Sequence, residues 1–150
     1  MSLLENFIRY VKIDTQSDDT VETNPTTQKQ FNLGNILVEE LHNIGIDNAY
    51  IDEHCYVYAF IPSNTSSTKT VGLIAHLDTA TEMSGKNVNP QIIDNYNGED
   101  IVLNKEQNII MYAKDFPKLK NQIGKQIVTT DGTTLLGADD KAGIAIIIIA

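Results

Sequence analysis

The chain has 150 residues, enough for one core of ordinary size. With 41% apolar and 21% charged residues it has the composition of a globular protein and not of a disordered one. A formal net charge of −9 argues against nucleic acid and anionic membranes as partners, since both are met by basic patches.

Leu3, Leu4, Phe7, Ile8 and Val11 recur at helical spacing and predict a helix over 2–13. Glu5, Arg9 and Lys12 interrupt that stretch, so it is not a secretory apolar segment. No run approaches the ~20 apolar residues of a membrane span. Residues 14–25 are polar and turn-rich. Leu33, Leu37, Leu41 and Ile44 form a second helical stripe that Gly45 ends, with Gly34 as its weak point. Residues 50–52 and 56–61 read as two strands around a turn near His54. Cys55 is the only cysteine, so no intrachain disulfide forms, and a reducing, cytoplasmic location is expected.

After a Ser/Thr/Asn loop over 62–69, the apolar run 71–75 reads as a central strand covered on both faces. A long loop at this position, 79–98, is of the kind that carries function. Short strands are predicted at 101–103, 109–112 and 126–130. Asp131-Gly132 is a hairpin turn signal between Val128 and Leu135. A helix begins at Asp139 and runs into four consecutive isoleucines at 146–149. The alternation predicts an α/β fold, a mixed sheet flanked by helices, with no internal domain boundary. So apolar an ending belongs inside a fold, so residues 1–150 are expected to be a fragment of a longer protein.

Two motifs carry ionisable groups at the junctions of buried elements with loops. The first is Ala75-His76-Leu77-Asp78-Thr79. A neutral imidazole is a good ligand for a metal such as zinc through one ring nitrogen. A carboxylate on the other nitrogen fixes the ring and raises its basicity. Residues i and i+2 of an extended segment share a side, so Asp78 can do this for His76. Taken alone, His-x-Asp is more often a turn histidine beside a capping aspartate. The second motif is Gly137-Ala138-Asp139-Asp140-Lys141-Ala142-Gly143. Only one of two adjacent carboxylates can cap the helix. The other, with two oxygens, can bridge a pair of cations. Gly137 and Gly143 give room for an unusual turn or a close approach.

Together the motifs resemble the two N-terminal signatures of the co-catalytic zinc peptidases related to carboxypeptidase G. The similarity is closest to the tripeptide aminopeptidase branch of that family. It rests on Ser-Gly-Lys-Asn-Val-Asn-Pro-Gln-Ile at 84–92, Asn95-Tyr96, Thr130-Asp-Gly-Thr-Thr-Leu-Leu136 and Asp14-Thr15-Gln16-Ser17, and runs from about residue 3 to 145. The resemblance implies that His76 ligates one of two zinc ions and that Asp139 bridges both. Asp78 would be the catalytic-site residue that holds the His76 ring. It also implies a cis bond from Asp139 to Asp140, and a small peptide as substrate. It implies too that residues 1–150 are the N-terminal portion of the catalytic domain, with the glutamate base, the remaining ligands and a smaller inserted domain in further chain. Ile146 stands where that branch usually has glutamate.

Two other readings stay open. One keeps the metals but hydrolyses dipeptides or acylated amino acids. The other is a chain that alone is non-catalytic, because His76 and Asp139 fall short of about three protein ligands per zinc. A homo-oligomer is compatible with either. His42 is expected to be exposed on its helix, His54 to be a solvated turn residue, and Lys141 to be a surface or N-terminal-turn residue and not a catalytic group. Asn87, Asn89 and Gln91 border the predicted cleft without an assigned role.

Overall fold

A computed structural model describes all of residues 1–150. Helix α1 (Leu3–Val11) starts at Ser2. The Ser2 hydroxyl accepts the Glu5 N–H, and the Glu5 carboxylate accepts the Ser2 N–H. Two backbone donors that the helix leaves free are thereby satisfied reciprocally. The inner side of α1 buries Phe7, Tyr10 and Val11. Helix α2 (Gln30–Asn43) buries Leu33, Leu37 and Leu41 and stops ahead of Gly45, which has φ +90°. Ile44 was expected to continue this stripe but is 59% exposed, because the helix ends one residue before it. The Tyr10 hydroxyl and the Arg9 guanidinium both meet Glu40, which ties α1 to α2.

Gly34 is a site of close approach and not merely a weak point in α2. A Cβ there would fall 2.4 Å from Ile51 Cδ1, so the absence of a side chain lets strand β1 (Tyr50–Ile51) pack onto the helix. β1 pairs antiparallel with β2 (Val57–Tyr58), with Tyr50 opposite Tyr58 and their rings stacked at 5.1 Å. Strand β3 (Gln91–Ile93) pairs antiparallel with β6 (Ile127–Thr129), and β4 (Ile101–Asn104) with β5 (Ile109–Met111). Short 3-10 turns occupy Ala113–Asp115 and Pro117–Gln122. β3 lies in the segment expected to be loop: three residues after a proline are too few to show a period. Helix α3 (Ala138–Ile149) closes the order.

The core joins Phe7, Tyr10 and Val11 of α1 to Leu33 and Leu37 of α2, Val88, and Ile144 and Ala145 of α3. Each large side chain buried there is worth roughly 1.5–3 kcal/mol. Packing of α1 against α3 brings the start of α3 beside the loop that leaves α1. No helix is long and apolar enough to cross a membrane.

Three expectations are corrected. The strands form three separate two-stranded antiparallel ribbons, not one mixed sheet. The run 71–75 is not a paired strand: Val71, Leu73 and Ile74 are 82%, 61% and 93% exposed. A strand exists only through a neighbour, and this stretch gains backbone pairing only beyond its end, in a parallel bridge between Thr79 and Gln16. Gly132 does turn the chain at φ +77°, but no hairpin results. β6 pairs back to β3, and the Leu135 N–H donates to the Ser84 carbonyl. Helical geometry sends Ile144 inward and leaves Ile146 and Ile149 about half exposed.

Candidate metal-binding site

The first motif is held by the loop after α1. Ala75 and Leu77 pack against the core, which anchors the extended chain at alternate residues. The Thr79 N–H then donates to the Thr15 carbonyl at 3.2 Å, and the Ser17 N–H donates to the Thr79 carbonyl at 3.0 Å. The Gln16 side-chain amide donates to the carbonyls of Ala80 and Met83. This pairing fixes residues 15–17 alongside 78–80. It places the Ser17 hydroxyl 2.5 Å from Asp78 Oδ2.

The second motif is shaped by its glycines. Gly137 has φ +73°, and a Cβ there would lie 2.9 Å from Thr79 Cγ2. Both the conformation and the contact require glycine, and together they press the start of α3 against residue 79. The Asp139–Asp140 bond is cis, as the resemblance implies, and both residues are non-helical. Asp140 Oδ1 accepts the Gly143 N–H at 3.1 Å. A Cβ on Gly143 would sit 2.2 Å from that oxygen, so glycine makes room for the cap. Asp140 is therefore the capping carboxylate. Asp139 is the free one, its side chain 97% exposed.

The two motifs converge on His76. Its Nδ1 lies 3.0 Å from the Asp78 carbonyl oxygen and 3.1 Å from Asp78 Oδ1. Both are acceptors, so Nδ1 carries the hydrogen and Nε2 is left to face outward. Nε2 lies 3.1 Å from Asp139 Oδ1. In neutral imidazole a lone pair would then point at a carboxylate, an arrangement that calls for a proton or a cation. Burial opposes a charge on His76, but the hydrogen bond to Asp139 and the charge and hydrogen bonds of Asp78 outweigh it and raise the pKa. A cleft of about 300 Å3 adjoins the pair, walled by Ala80, Leu135, Gly137 and Ala138.

The donors present suit a divalent metal in type. Two ligands at ~2.0–2.2 Å from one zinc stand about 3 Å apart when they subtend roughly a right angle or slightly more, and Nε2 and Oδ1 are separated by 3.1 Å. They do not make a complete centre. The chain has no group of three or more His, Cys, Asp or Glu side chains able to hold a metal.

Lys141 lies in the first turn of α3, one of the two positions expected for it, and not on the surface. It is 1% exposed, and its ammonium donates to the Ile13 carbonyl at 2.6 Å. Burial pushes its pKa down to about 8, against the pull of Asp14. The side chain passes beside Gly137 at ordinary contact distance. Lys141 thus fastens α3 to the 13–17 loop. His42 is exposed, with Nε2 on the Ala49 carbonyl, and His54 is exposed beside Glu53, both as expected. Asn89 donates to Asp131 and Gln91 to the Leu103 carbonyl, which brace the neighbouring ribbons and do not touch His76. Sequence reasoning gave no role to Ser17 or Gln16. The signal was present in Asp14-Thr15-Gln16-Ser17, but its contact with Asp78 spans 61 positions.

No protein-family model matches the chain. Curated proteins do. The chain is 55% identical over 152 residues to "Peptidase T" of Alkaliphilus oremlandii, covering 99% of this chain and 37% of that protein. It is 58% identical over 149 residues to "Peptidase T" of Geobacillus thermodenitrificans and 54% identical over 149 residues to "Peptidase T" of Bacillus subtilis, covering 99% of this chain and 36% of each relative. The chain thus spans little over a third of the length of the curated relatives it matches. Over 99% of its own length, this chain is a sequence relative of the peptidase T proteins.

Proposed function

We propose that the protein is a zinc-dependent aminopeptidase that releases the N-terminal residue of tripeptides. The observation that carries this reading is the convergence of His76 Nε2 and Asp139 Oδ1, with the imidazole held from behind by Asp78. The similarity to peptidase T supports the peptidase class. The 84–92 stretch that resembles the tripeptide branch supports the substrate.

In this reading His76 offers its Nε2 lone pair to zinc. Asp78 keeps the hydrogen on Nδ1 and so maintains the ligating tautomer. Asp139 would hold zinc together with His76, its exposed carboxylate being free to take a cation. Asp140 holds the end of α3, so the direction of its neighbour Asp139 is set by the helix. Zinc, when bound, polarises a scissile carbonyl and lowers the pKa of a water ligand. Ala80, Leu135 and Ala138 give the adjoining cleft an apolar wall against which a small peptide can lie. The groups around His76 do not by themselves complete a metal centre.

The test is hydrolysis of tripeptides by the uninterrupted gene product with zinc, then with chelator, then with zinc restored. Release of the N-terminal residue that follows the metal, with dipeptides and longer peptides cleaved poorly, is the expected outcome. Cleavage of dipeptides or acylated amino acids in place of tripeptides would move the substrate. Activity indifferent to chelator would end the metal reading.

A further inference from the structure

The loop after α1 reaches into the His76 arrangement at one atom. The Ser17 hydroxyl oxygen is 2.5 Å from Asp78 Oδ2 and 3.1 Å from the Thr79 carbonyl. Both neighbours are acceptors. The hydroxyl has a single hydrogen, and the charged oxygen at the shorter distance takes it. The other oxygen of the same carboxylate, Oδ1, faces His76 Nδ1 at 3.1 Å. Asp78 is thus held by a different residue at each oxygen.

We propose that Ser17 is a positioning residue for the metal site, acting on His76 through Asp78. A carboxylate bonded at one oxygen only can turn about its last side-chain torsion, which is a broad, soft coordinate. With both oxygens engaged, its plane is fixed, and so is the direction of Oδ1 toward the imidazole. Asp78 needs this restraint, because its side chain is 42% exposed and water competes for both oxygens. The backbone supplies the reach. The Ser17 N–H on the Thr79 carbonyl and the Thr79 N–H on the Thr15 carbonyl fix Ser17 in register beside Asp78. Gln16 secures the same register through Ala80 and Met83. The early Asp14-Thr15-Gln16-Ser17 motif so gains a role at a centre about sixty residues away.

The proposal rests on the zinc reading of His76, and its test separates the two. Zinc affinity is measured by competition with a chromophoric chelator for the full chain as the gene encodes it. The proteins compared are wild type, Ser17→Ala, Ser17→Thr, Asp78→Ala and the Ser17→Ala/Asp78→Ala double variant. The tautomer of His76 is read in parallel, without metal and at a pH high enough for the ring to be neutral, from ring 15N shifts. Ser17→Ala is expected to weaken zinc binding about three- to tenfold, below the ~10–100-fold typical of a residue bonded directly to a ligand. Its ring shifts should move toward a mixture of tautomers. Ser17→Thr keeps the hydroxyl and should restore both. In the Asp78→Ala background, loss of Ser17 should change nothing further, since the two residues act as one unit. An equal loss in both backgrounds, or unchanged affinity and ring shifts in Ser17→Ala, would overturn the proposal. A wild type that binds no zinc would sink the metal reading, and the ring shifts would then decide the Ser17 arrangement alone.

Discussion

Asp140 Oδ1 accepts the backbone N–H of Gly143 at 3.1 Å, three residues along the start of α3. This contact separates the roles of two adjacent, chemically identical side chains. It satisfies a helix donor that would otherwise be free and leaves Asp139 for other work. Asp140→Ala is expected to cost about 0.5–2 kcal/mol of stability, the usual range for a lost N-cap. Gly143→Ala should cost at least as much, because the new methyl would stand 2.2 Å from the capping oxygen and displace it. Urea unfolding of both variants checks this. A Gly143→Ala protein as stable as wild type would show that the cap is not needed.

Asp139 should behave in the opposite way. Its side chain is 97% exposed and touches only His76. Substitutions at exposed positions usually stay within about 0.5 kcal/mol, so Asp139→Ala should unfold at nearly the wild-type denaturant midpoint. In the proposed function the same change removes a zinc ligand. Zinc affinity and peptidase activity should therefore be lost from a stable protein. Calorimetric zinc titration alongside unfolding distinguishes this from general damage. Unchanged zinc affinity would exclude Asp139 from the site.

The helices were legible in the sequence because each is a local pattern, and so was the meeting of His76 with Asp78; that Asp139, and not Asp140, turns toward His76 was implied only by the family resemblance. A stripe such as Leu33, Leu37 and Leu41 reports its own buried face, and His-x-Asp places both side chains together within one extended segment. Pairing across the chain was not legible. The run 71–75 has the composition of a covered strand, but composition does not say which segment lies beside it. Here Leu73 and Ile74 are exposed. Asp131-Gly132 signals a turn correctly, yet the partner of β6 is β3, some 35 positions earlier. The burial of Lys141 was hidden for a related reason. A lysine after two aspartates reads as solvated charge until Ile13, 128 positions away, is found to accept from it.

That lysine gives a third prediction. The Lys141 ammonium is buried and bonded to the Ile13 carbonyl, joining α3 to the loop that holds Asp78 and Thr79. Lys141→Met keeps most of the apolar stem but leaves the carbonyl without its donor. A buried polar group stripped of its partner costs about 1–3 kcal/mol, and that loss is expected in chemical unfolding. Proteolysis should find new cleavage sites within 13–17, the loop thereby released. Wild-type stability with an unchanged cleavage pattern would mean that water replaces the ammonium without penalty.

Asp14, on the same loop, gives an acid dependence whose sign follows from its surroundings. Burial alone would raise its pKa. The Gln16 N–H at 3.1 Å and the Lys29 ammonium at 3.1 Å outweigh burial, with a smaller pull from Lys141, and lower it. A carboxyl whose folded pKa lies below its unfolded value binds fewer protons in the folded state. Its contribution is fully present above the ordinary aspartate value of ~3.9 and is lost as pH falls through the folded value. Asp14→Asn removes the titrating group, so the variant should be less stable than wild type near neutral pH. The gap should close on acidification. Urea midpoints of the two proteins at about pH 6 and about pH 3 provide the check, because both conditions bracket the start of this loss. A gap that stays constant between them would show that the carboxylate charge of Asp14 does not hold the loop to Lys29 and Gln16.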